Sequence, residues 1–272
     1  RKMIVGIDFG ITNTDIALSD KDDVKFFTIP TKKISDDFLL EIFNFIKLDI
    51  NQVKKIAVTG GKSSDLGDSF KDIPIIKVNE VNAIGFGAID LYGIDDKPFV
   101  AISTGTGTAC IYHSDKKFNH LGGISLGGGT LQGLSNYIIN TSESSQIEEL
   151  AASGKRESLD LLIGEAVNEI GSLYPEITAS NFVKAKNTKK HSSEDLAASL
   201  SNMVGEVIGT ISYLNAMICG LDEVYFIGRT SLNKSIRKGI EDRLKLANVK
   251  GSFAVNREYG NVLGALKFIK EK

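Results

Sequence analysis

Three short glycine-rich turns, each directly after an apolar run, contain the residue types that suit chemistry on phosphates. They lie at 8–14, 104–108 and 127–130. Glycines and hydroxyl residues in such a turn direct several N–H and O–H groups at one point, as a polyphosphate requires. A tight hairpin that needs glycine only for its backbone freedom is the alternative for each turn taken singly. Three turns of one kind favour a nucleotide site.

These turns match neither of two familiar phosphate-binding motifs. No Gly-Lys-Ser/Thr follows any of them, and none has the strand-G-x-G-x-x-G-helix frame of a dinucleotide fold. A hairpin loop on each of two facing domains would instead clamp the phosphates from both sides. In that arrangement an acidic residue at the end of the first strand holds Mg²⁺ through water, and Asp8 occupies this position. The alternative role for Asp8 is to cap the turn.

Glu80 is the candidate for acid–base chemistry. It follows the apolar run IIKV and precedes a predicted helix, so its carboxylate could point into a cleft between domains. A kinase needs a base, or at least an acceptor, that orients the attacking hydroxyl and takes its proton. A glutamate in the first turn of a helix is also favoured by the helix dipole, so the pattern leaves both roles open.

The first two turns lie in segments that repeat one another. Residues 3–18 and 98–112 both read as an apolar strand, a glycine-bearing turn and a second strand, which predicts two related domains that face each other. A chance match between two common hairpin patterns is the alternative. The positions that coincide are Gly10 with Gly105, Val5 with Val100, Ile7 with Ile102, Asp8 with Ser103 and Ile16 with Ile111.

Strands and helices alternate along the rest of the chain. This alternation predicts an α/β architecture with ligands at the strand ends. The predicted strands are 24–29, 55–59, 75–78, 224–228 and 251–255, and the predicted helices are 35–47, 82–91, 146–152, 159–170, 193–218, 235–246 and 261–268. Residues 120–138 read as a glycine-dense turn that runs into a helix. Helix 193–218 has a wide apolar stripe, which we interpret as burial in a homodimer.

The composition is that of an ordinary soluble globular protein, with 42% hydrophobic and 24% charged residues in 272. A formal charge of −2 provides no basic field, so we expect neither nucleic acid nor membrane as partner. No apolar run approaches the ~20 residues of a membrane span, and no charged-then-apolar leader precedes the first strand. Cys110 and Cys219 lie far apart in apolar runs, which suits buried thiols in a reducing compartment. We therefore expect a cytoplasmic protein.

Eight blocks, in order and at similar spacing from Met3 to Leu266, resemble those of type II pantothenate kinases. The most specific is GGISLGGGTLQGL together with the upstream TGTGT. The resemblance implies a two-domain actin-like ATPase (ribonuclease H-like) fold with a nucleotide cleft. We place the domains at 1–95 and 96–272, the second with a helical substrate and dimer region. The blocks are VGIDFGITNTDIAL, VTGGK, VNEVNAIGFG, STGTGTACIY, HLGGISLGGGTLQGL, ASLSNMVGEVIG, VYFIG and YGNVLGAL.

The resemblance further implies a dimeric enzyme that phosphorylates the primary hydroxyl of pantothenate with Mg-ATP, the first step towards coenzyme A. By matching position, Glu80 falls at the family's catalytic base and Asp8 at the metal site. The residues that the resemblance assigns to the nucleotide are Asp8, Gly10, Thr12 and Asn13 in the first loop, Gly105, Thr106 and Gly107 in the second, and Gly128, Gly129, Thr130, Gln132 and Gly228 beyond them.

The chain departs from the family at positions that bear on charge. The family's first loop has a second glycine and, three residues after the threonine, a lysine; this chain has Ile11 and Asp15. Before Gly122 the family has an arginine implicated in contact with substrate and phosphate, and this chain has His120. Up to two positive charges are thereby lost from a site that must stabilise a migrating phosphoryl group. Lys62 could restore one, or be a surface lysine.

Several functions remain open at this point. They are a pantothenate kinase with a rearranged site, a kinase for a different small alcohol, and a nucleotide-binding relative with little catalysis. The same clamp also serves sensor and chaperone-like ATPases, but the chain lacks room for a separate peptide-binding domain.

Overall fold

A computed structural model describes residues 3–20, 23–95, 97–187 and 190–271. These ranges form thirteen strands and eight α-helices. The strands are β1 Met3–Phe9, β2 Asn13–Asp20, β3 Asp23–Pro30, β4 Val53–Thr59, β5 Ser69–Phe70, β6 Ile73–Lys77, β7 Phe99–Thr104, β8 Thr108–Ser114, β9 Lys117–Ile124, β10 Leu161–Leu162, β11 Thr178–Ser180, β12 Glu223–Ile227 and β13 Lys250–Ser252. The helices are α1 Asp36–Phe45, α2 Glu80–Tyr92, α3 Gly128–Ile139, α4 Ser144–Ser153, α5 Ile163–Ala166, α6 Ser193–Ile218, α7 Lys234–Leu246 and α8 Gly260–Glu271.

Two mixed sheets repeat one strand order. The first runs β3-β2-β1-β4-β6-β5 and the second β13-β12-β7-β8-β9. In each, three antiparallel strands are joined in sequence, and two further strands add in parallel beside the first of them. The repeat predicted from the two hairpins is therefore present in the topology, with β5 as an extra edge strand on the first sheet.

The two hairpins differ by one residue in their loops. Phe9 pairs with Thr14 at the mouth of the first hairpin, and Thr104 pairs with Thr108 at the mouth of the second. Four residues, 10–13, therefore separate the paired positions in the first hairpin, and three residues, 105–107, do so in the second.

This extra residue corrects one predicted match. Ile7 pairs with Ile16 in the first hairpin, and Ile102 pairs with Cys110 in the second. The predicted coincidence of Ile16 with Ile111 is therefore wrong by one position, whereas the coincidence of β1 with β7 agrees with the common topology.

The central strands are apolar because helices cover both faces of each sheet. In β1, Val5 and Ile7 are fully buried, and in β7, Val100 and Ile102 are too. One core cluster joins the first sheet to α1, and another joins the second sheet to α6 and α7. Both glycine-rich hairpins therefore extend from rigid strands.

Two helices connect the halves of the molecule. The last helix, α8, packs on β1 and β4 of the first sheet, whereas α2 packs on the second sheet and on α8. Their backbones approach closely, since a methyl group at Gly87 would strike the Gly260 carbonyl and one at Gly264 the Ala83 carbonyl. The proposed domain boundary falls in the connection between α2 and β7, and Asp96 itself lies outside the described residues.

Residues 120–124 form part of a strand rather than a turn, so the prediction there was wrong. They belong to β9, which pairs with β8 with an irregular register. A methyl group at Gly123 would strike the Thr108 carbonyl, so this glycine allows close strand approach. The predicted helix that follows is confirmed as α3.

The predicted helix 159–170 is also wrong, because only the four residues of α5 are α-helical there. Tertiary contacts hold this segment in another conformation. The buried Asp160 accepts hydrogen bonds from the Phe182 N–H at 2.9 Å and from the Ser199 hydroxyl at 2.5 Å. Gly164 packs against Pro175.

The other predicted helices are present, and α6 matches its predicted bounds at both ends. Ser192 caps α6 by accepting a hydrogen bond from the Asp195 N–H at 3.0 Å. In the part of the chain that the structure describes, no helix is sufficiently long and apolar to cross a membrane. Both cysteines are free; Cys110 is buried as expected, but Cys219 is only partly buried.

Candidate active site

The first loop is held from its carbonyl side by the end of β3. The Thr31 hydroxyl donates to the Gly10 carbonyl at 2.7 Å, and the Thr31 N–H donates to the Thr12 carbonyl at 3.0 Å. Among the described residues, no protein acceptor is found for the N–H groups of Gly10, Ile11 and Thr12. These donors are therefore open to an anion.

Ile11 stands at the exposed tip of this loop, where the family has glycine. Its side chain is 78% exposed. Its φ is not positive, so the backbone here does not require glycine. The first of the family departures thus leaves the loop conformation unstrained.

The second loop is packed against the third glycine-rich turn. The Gly105 carbonyl accepts hydrogen bonds from the Gly128 N–H at 2.9 Å and from the Thr230 hydroxyl at 2.7 Å. The Thr106 carbonyl accepts from the Gly129 N–H at 3.1 Å. The turns predicted at 104–108 and 127–130 therefore form one structure, in which the start of α3 lies over the loop.

Glycine is needed here for close approach. A methyl group at Gly127 would lie 2.7 Å from the carbonyl oxygens of both Gly105 and Thr106. Gly228 has a φ of +97° and lies against the Thr104 carbonyl, so a side chain is excluded on two grounds. Gly228 therefore lies directly against the start of the second loop.

Carboxylates gather at the base of the first loop. Asp8 and Asp15 are paired across β1 and β2. Burial raises the pKa of Asp8 to about 7, and the negative charges of Asp15 and Glu80 add to this effect, while Asn261 and Arg229 oppose it. The structure thus brings the predicted metal residue, Asp8, within electrostatic reach of the predicted base, Glu80.

Glu80 and His120 lie in different settings. Glu80 is the exposed first residue of α2, and the preceding Asn79 caps the helix by accepting from the Asn82 N–H at 2.8 Å. His120 is exposed on β9, where its Nδ1 accepts from the Gly122 N–H at 3.1 Å. Within the described ranges, no hydrogen bond or ion pair joins His120 to Asp8 or Glu80.

Two further predicted residues lie apart from the carboxylates. Gln132 donates from Nε2 to the Ser142 carbonyl and to the Ser144 hydroxyl, both at 3.1 Å, and so holds the connection between α3 and α4. Thr130 accepts from the Gly127 N–H at 3.2 Å at the start of α3. Lys62 is exposed in the connection that follows β4.

Arg229 is the site residue that the sequence analysis missed. Its Nη2 donates to Asp15 Oδ1 at 2.5 Å and to Thr28 Oγ1 at 3.2 Å, and the Thr28 hydroxyl donates to the same Asp15 oxygen at 2.6 Å. The anion at position 15 is therefore paired with a cation from the other sheet. The available signal was a cation that directly follows Gly228, a glycine already assigned to the nucleotide.

The donor set fits a magnesium ion held mostly by water and phosphate. No group of three or more His, Cys, Asp or Glu residues that could hold a metal ion is found across the described ranges. Mg²⁺ commonly binds through one or two carboxylates with water and substrate phosphates, and Asp8 could provide one of these carboxylates. Nearby, Asn261 Oδ1 is buried without a hydrogen-bond partner among the described residues, which leaves an oxygen for a bound water.

Comparison with known proteins identifies relatives along the whole chain. The family model Fumble matches residues 93–238. A type II pantothenate kinase from Bacillus thuringiensis subsp. konkukian is 31% identical over 275 residues, with 96% of each chain covered. A type II pantothenate kinase from Staphylococcus aureus is 27% identical, with 97% of this chain and 98% of that protein covered.

Solved structures share the fold at low sequence identity. Component A of the Acidaminococcus fermentans (R)-2-hydroxyglutaryl-CoA dehydratase has a TM-score of 0.67 at 16% identity and covers 98% of this chain and 97% of its own. A ROK family glucokinase from Streptomyces griseus, in complex with glucose and AMPPNP, has a TM-score of 0.62 at 12% identity. The match covers 99% of this chain and 100% of the glucokinase. The predicted two-domain actin-like ATPase fold is thereby confirmed.

Proposed function

The chain belongs to the type II pantothenate kinase family, and from this premise we propose that it transfers the γ-phosphoryl group of ATP to the primary hydroxyl of pantothenate. This is the first step towards coenzyme A. One structural observation carries the proposal: the ion pair between Asp15 and Arg229 links the first hairpin, beside Asp8, to the segment that packs against the second loop. Such an arrangement suits a triphosphate held between the loops and an acceptor hydroxyl beside a base.

ATP would be bound by backbone donors from both loops. In the first loop, Gly10 and Thr12 contribute N–H groups, and Asn13 extends this surface. In the second, Thr106 and Gly107 lie beside the N-terminus of α3, where the helix dipole favours negative charge. Gly228 allows the chain that follows β12 to lie against the second loop.

Mg²⁺ would be held by Asp8, either directly or through water. When bound, it would neutralise part of the charge on the phosphates. Because burial raises the pKa of Asp8 to about 7, a cation at this place would also stabilise the ionised carboxylate.

Glu80 would act as the base in the chemical step. Its carboxylate takes the proton of the acceptor hydroxyl as that oxygen bonds to the γ-phosphorus, while the bond from the γ-phosphorus to the bridging oxygen breaks and ADP leaves. The exposure of Glu80 at the start of α2 leaves room for an acceptor. His120 would contact the acceptor or the phosphates through Nε2, since its Nδ1 already accepts from Gly122.

We also propose a homodimer formed through α6, in a cytoplasmic protein. Large apolar side chains are exposed along the second half of this helix, where a second copy would cover them. They are Val207, Leu214, Met217 and Ile218. Sedimentation should show a dimer; a monomer at every concentration tested would contradict this assembly.

The function is tested by ADP release in the presence of Mg²⁺ and candidate acceptors. We expect ATP consumption that depends on pantothenate, with pantetheine and simple sugars as comparison acceptors. Turnover that requires one of those instead would make the protein a kinase for another alcohol. Turnover without any acceptor would favour a nucleotide-driven switch and overturn the kinase proposal.

A further inference from the structure

Arg229 connects the two phosphate-type loops through a single side chain. Its backbone is fixed against the second loop, because Gly228 donates to the Arg257 carbonyl at 2.8 Å and Thr230 donates to the Gly105 carbonyl at 2.7 Å. Its guanidinium reaches Asp15, which lies on the first hairpin. The positive charge therefore lies beside the first hairpin, on a segment whose next residue contacts the second loop.

Only one nitrogen of the guanidinium makes hydrogen bonds among the described residues, and the group also lies over the Tyr259 ring, with Cζ 5.7 Å from the ring centroid. Nη2 binds both Asp15 and Thr28, whereas no acceptor for Nη1 or Nε is found within the described part of the chain. The Arg229 side chain is 37% exposed and that of Asp15 only 11%. Asp15 and Thr28 thus fix the orientation of a guanidinium whose other two nitrogens have no acceptor among the described residues.

The charges around the guanidinium favour phosphate binding in addition to a structural link between the two halves of the molecule. Asp8 pairs with Asp15 across β1 and β2 and lies within electrostatic reach of Glu80, and each of these carboxylates would repel a polyphosphate. Arg229 brings a positive charge to this group through its ion pair with Asp15. A guanidinium with two open donors also matches the geometry of phosphate oxygens.

We propose that Arg229 binds the terminal phosphates of ATP and stabilises the phosphoryl group during transfer, and that Asp15 and Thr28 are positioning residues that orient it. This inference rests on the proposed kinase function. At the positions of Asp15 and His120 the family has a lysine and an arginine. Arg229 would replace part of the positive charge that this chain lacks there.

The test compares Arg229→Met, Arg229→Lys and Asp15→Asn with the wild-type protein. We expect Arg229→Met to lower kcat/KM for ATP by roughly 10²-fold or more, since arginine contacts in phosphoryl transfer are worth this much or more. Calorimetry should show a larger loss of affinity for a non-hydrolysable ATP analogue than for ADP. Arg229→Lys should recover part of the loss, and Asp15→Asn should have a smaller effect, about tenfold, because the cation remains.

A purely structural tie predicts a different pattern. Arg229→Met and Asp15→Asn would then lower Tm equally and would weaken the binding of the ATP analogue and of ADP to the same extent. This result would overturn the inference. Arg237→Met is the matched control, because Arg237 forms an exposed ion pair with Glu241 on α7, outside the proposed site, and should leave activity unchanged. Full activity of Arg229→Met would reject the inference and leave the kinase function standing. Failure of the wild-type protein to bind nucleotide would reject both.

Discussion

The first and second hairpins share one backbone plan but differ in what their side chains do. In the first, Asp8 pairs with Asp15; at the equivalent place in the second, Ser103 pairs with Ala109. The first loop ends in the exposed Ile11, whereas the second is covered by the start of α3 and by the chain that follows β12. One strand order thus supports an acidic hairpin with an exposed tip and a glycine-packed hairpin whose tip lies against α3.

The two hairpins therefore differ in the kind of constraint on their residues. The acidic hairpin has a chemical constraint, since burial holds the pKa of Asp8 at about 7, far above its ordinary value of 3.8. The glycine-packed hairpin has a steric constraint, since side chains at Gly127, Gly129 or Gly228 would strike neighbouring atoms. Substitutions should therefore affect chemistry on one side and stability on the other.

The largest expected effect is on the acidic side, at Glu80. Glu80→Gln keeps the shape of the side chain but removes its negative charge and its basicity. We expect kcat to fall by roughly 10²-fold or more while ATP affinity is nearly unchanged, because general base catalysis typically contributes ~10² to 10⁴. Steady-state kinetics and calorimetry measure the two quantities. Asp37→Asn, another exposed acid in the first turn of a helix, is the control.

Either of two results would contradict this role. Full turnover of Glu80→Gln with the identified acceptor would show that Glu80 is not the base. Loss of ATP binding would show that it holds the metal ion or the local structure instead.

The next effect is on the stability of the glycine-packed side. Gly228→Ala should lower the free energy of unfolding by about 2 to 4 kcal/mol, because it strains a positive φ and drives a methyl group into the Thr104 carbonyl. Gly105→Ala is the matched control: its φ is not positive, and its added methyl would meet nothing nearer than 3.9 Å. If urea unfolding showed that both variants lose the same free energy of unfolding, the steric explanation would be wrong.

The sequence predicted the acidic hairpin better than the closed one. Asp8 and Glu80 follow apolar strands, a local pattern that places carboxylates at strand ends. The packing of the second loop against the start of α3 depends on contacts between separate segments of the chain, and the glycines of β9 resembled a turn. Arg229 was missed for the same reason, because its partner Asp15 is 214 residues away in the chain.

A smaller effect should come from Asp8 in Mg²⁺-free buffer with EDTA. Its folded-state pKa of about 7 lies above the ordinary value of 3.8, so the native state loses stability relative to a neutral residue as pH rises from about 4 to 7. Asp8→Asn should therefore stabilise the protein at pH 8 more than at pH 5, by about 2 kcal/mol at most after allowance for solvent screening. Urea unfolding at both pH values measures this. Ser103→Asn, its counterpart in the second hairpin, should show no such pH dependence.

The smallest effect should come from the tips of the two loops, where the contrast between open and closed is most direct. Ile11 and Thr106 occupy the same position after the first glycine of each loop. Ile11→Ala removes a side chain that is 78% exposed, from a backbone without positive φ, so unfolding free energy should change by less than about 0.5 kcal/mol. Thr106→Ala removes a hydroxyl and a methyl group that lies over Gly129, so the free energy of unfolding should fall by about 1 kcal/mol. Equal costs at the two tips would mean that the Ile11 side chain is also packed in solution, and the contrast between the two loops would then be wrong.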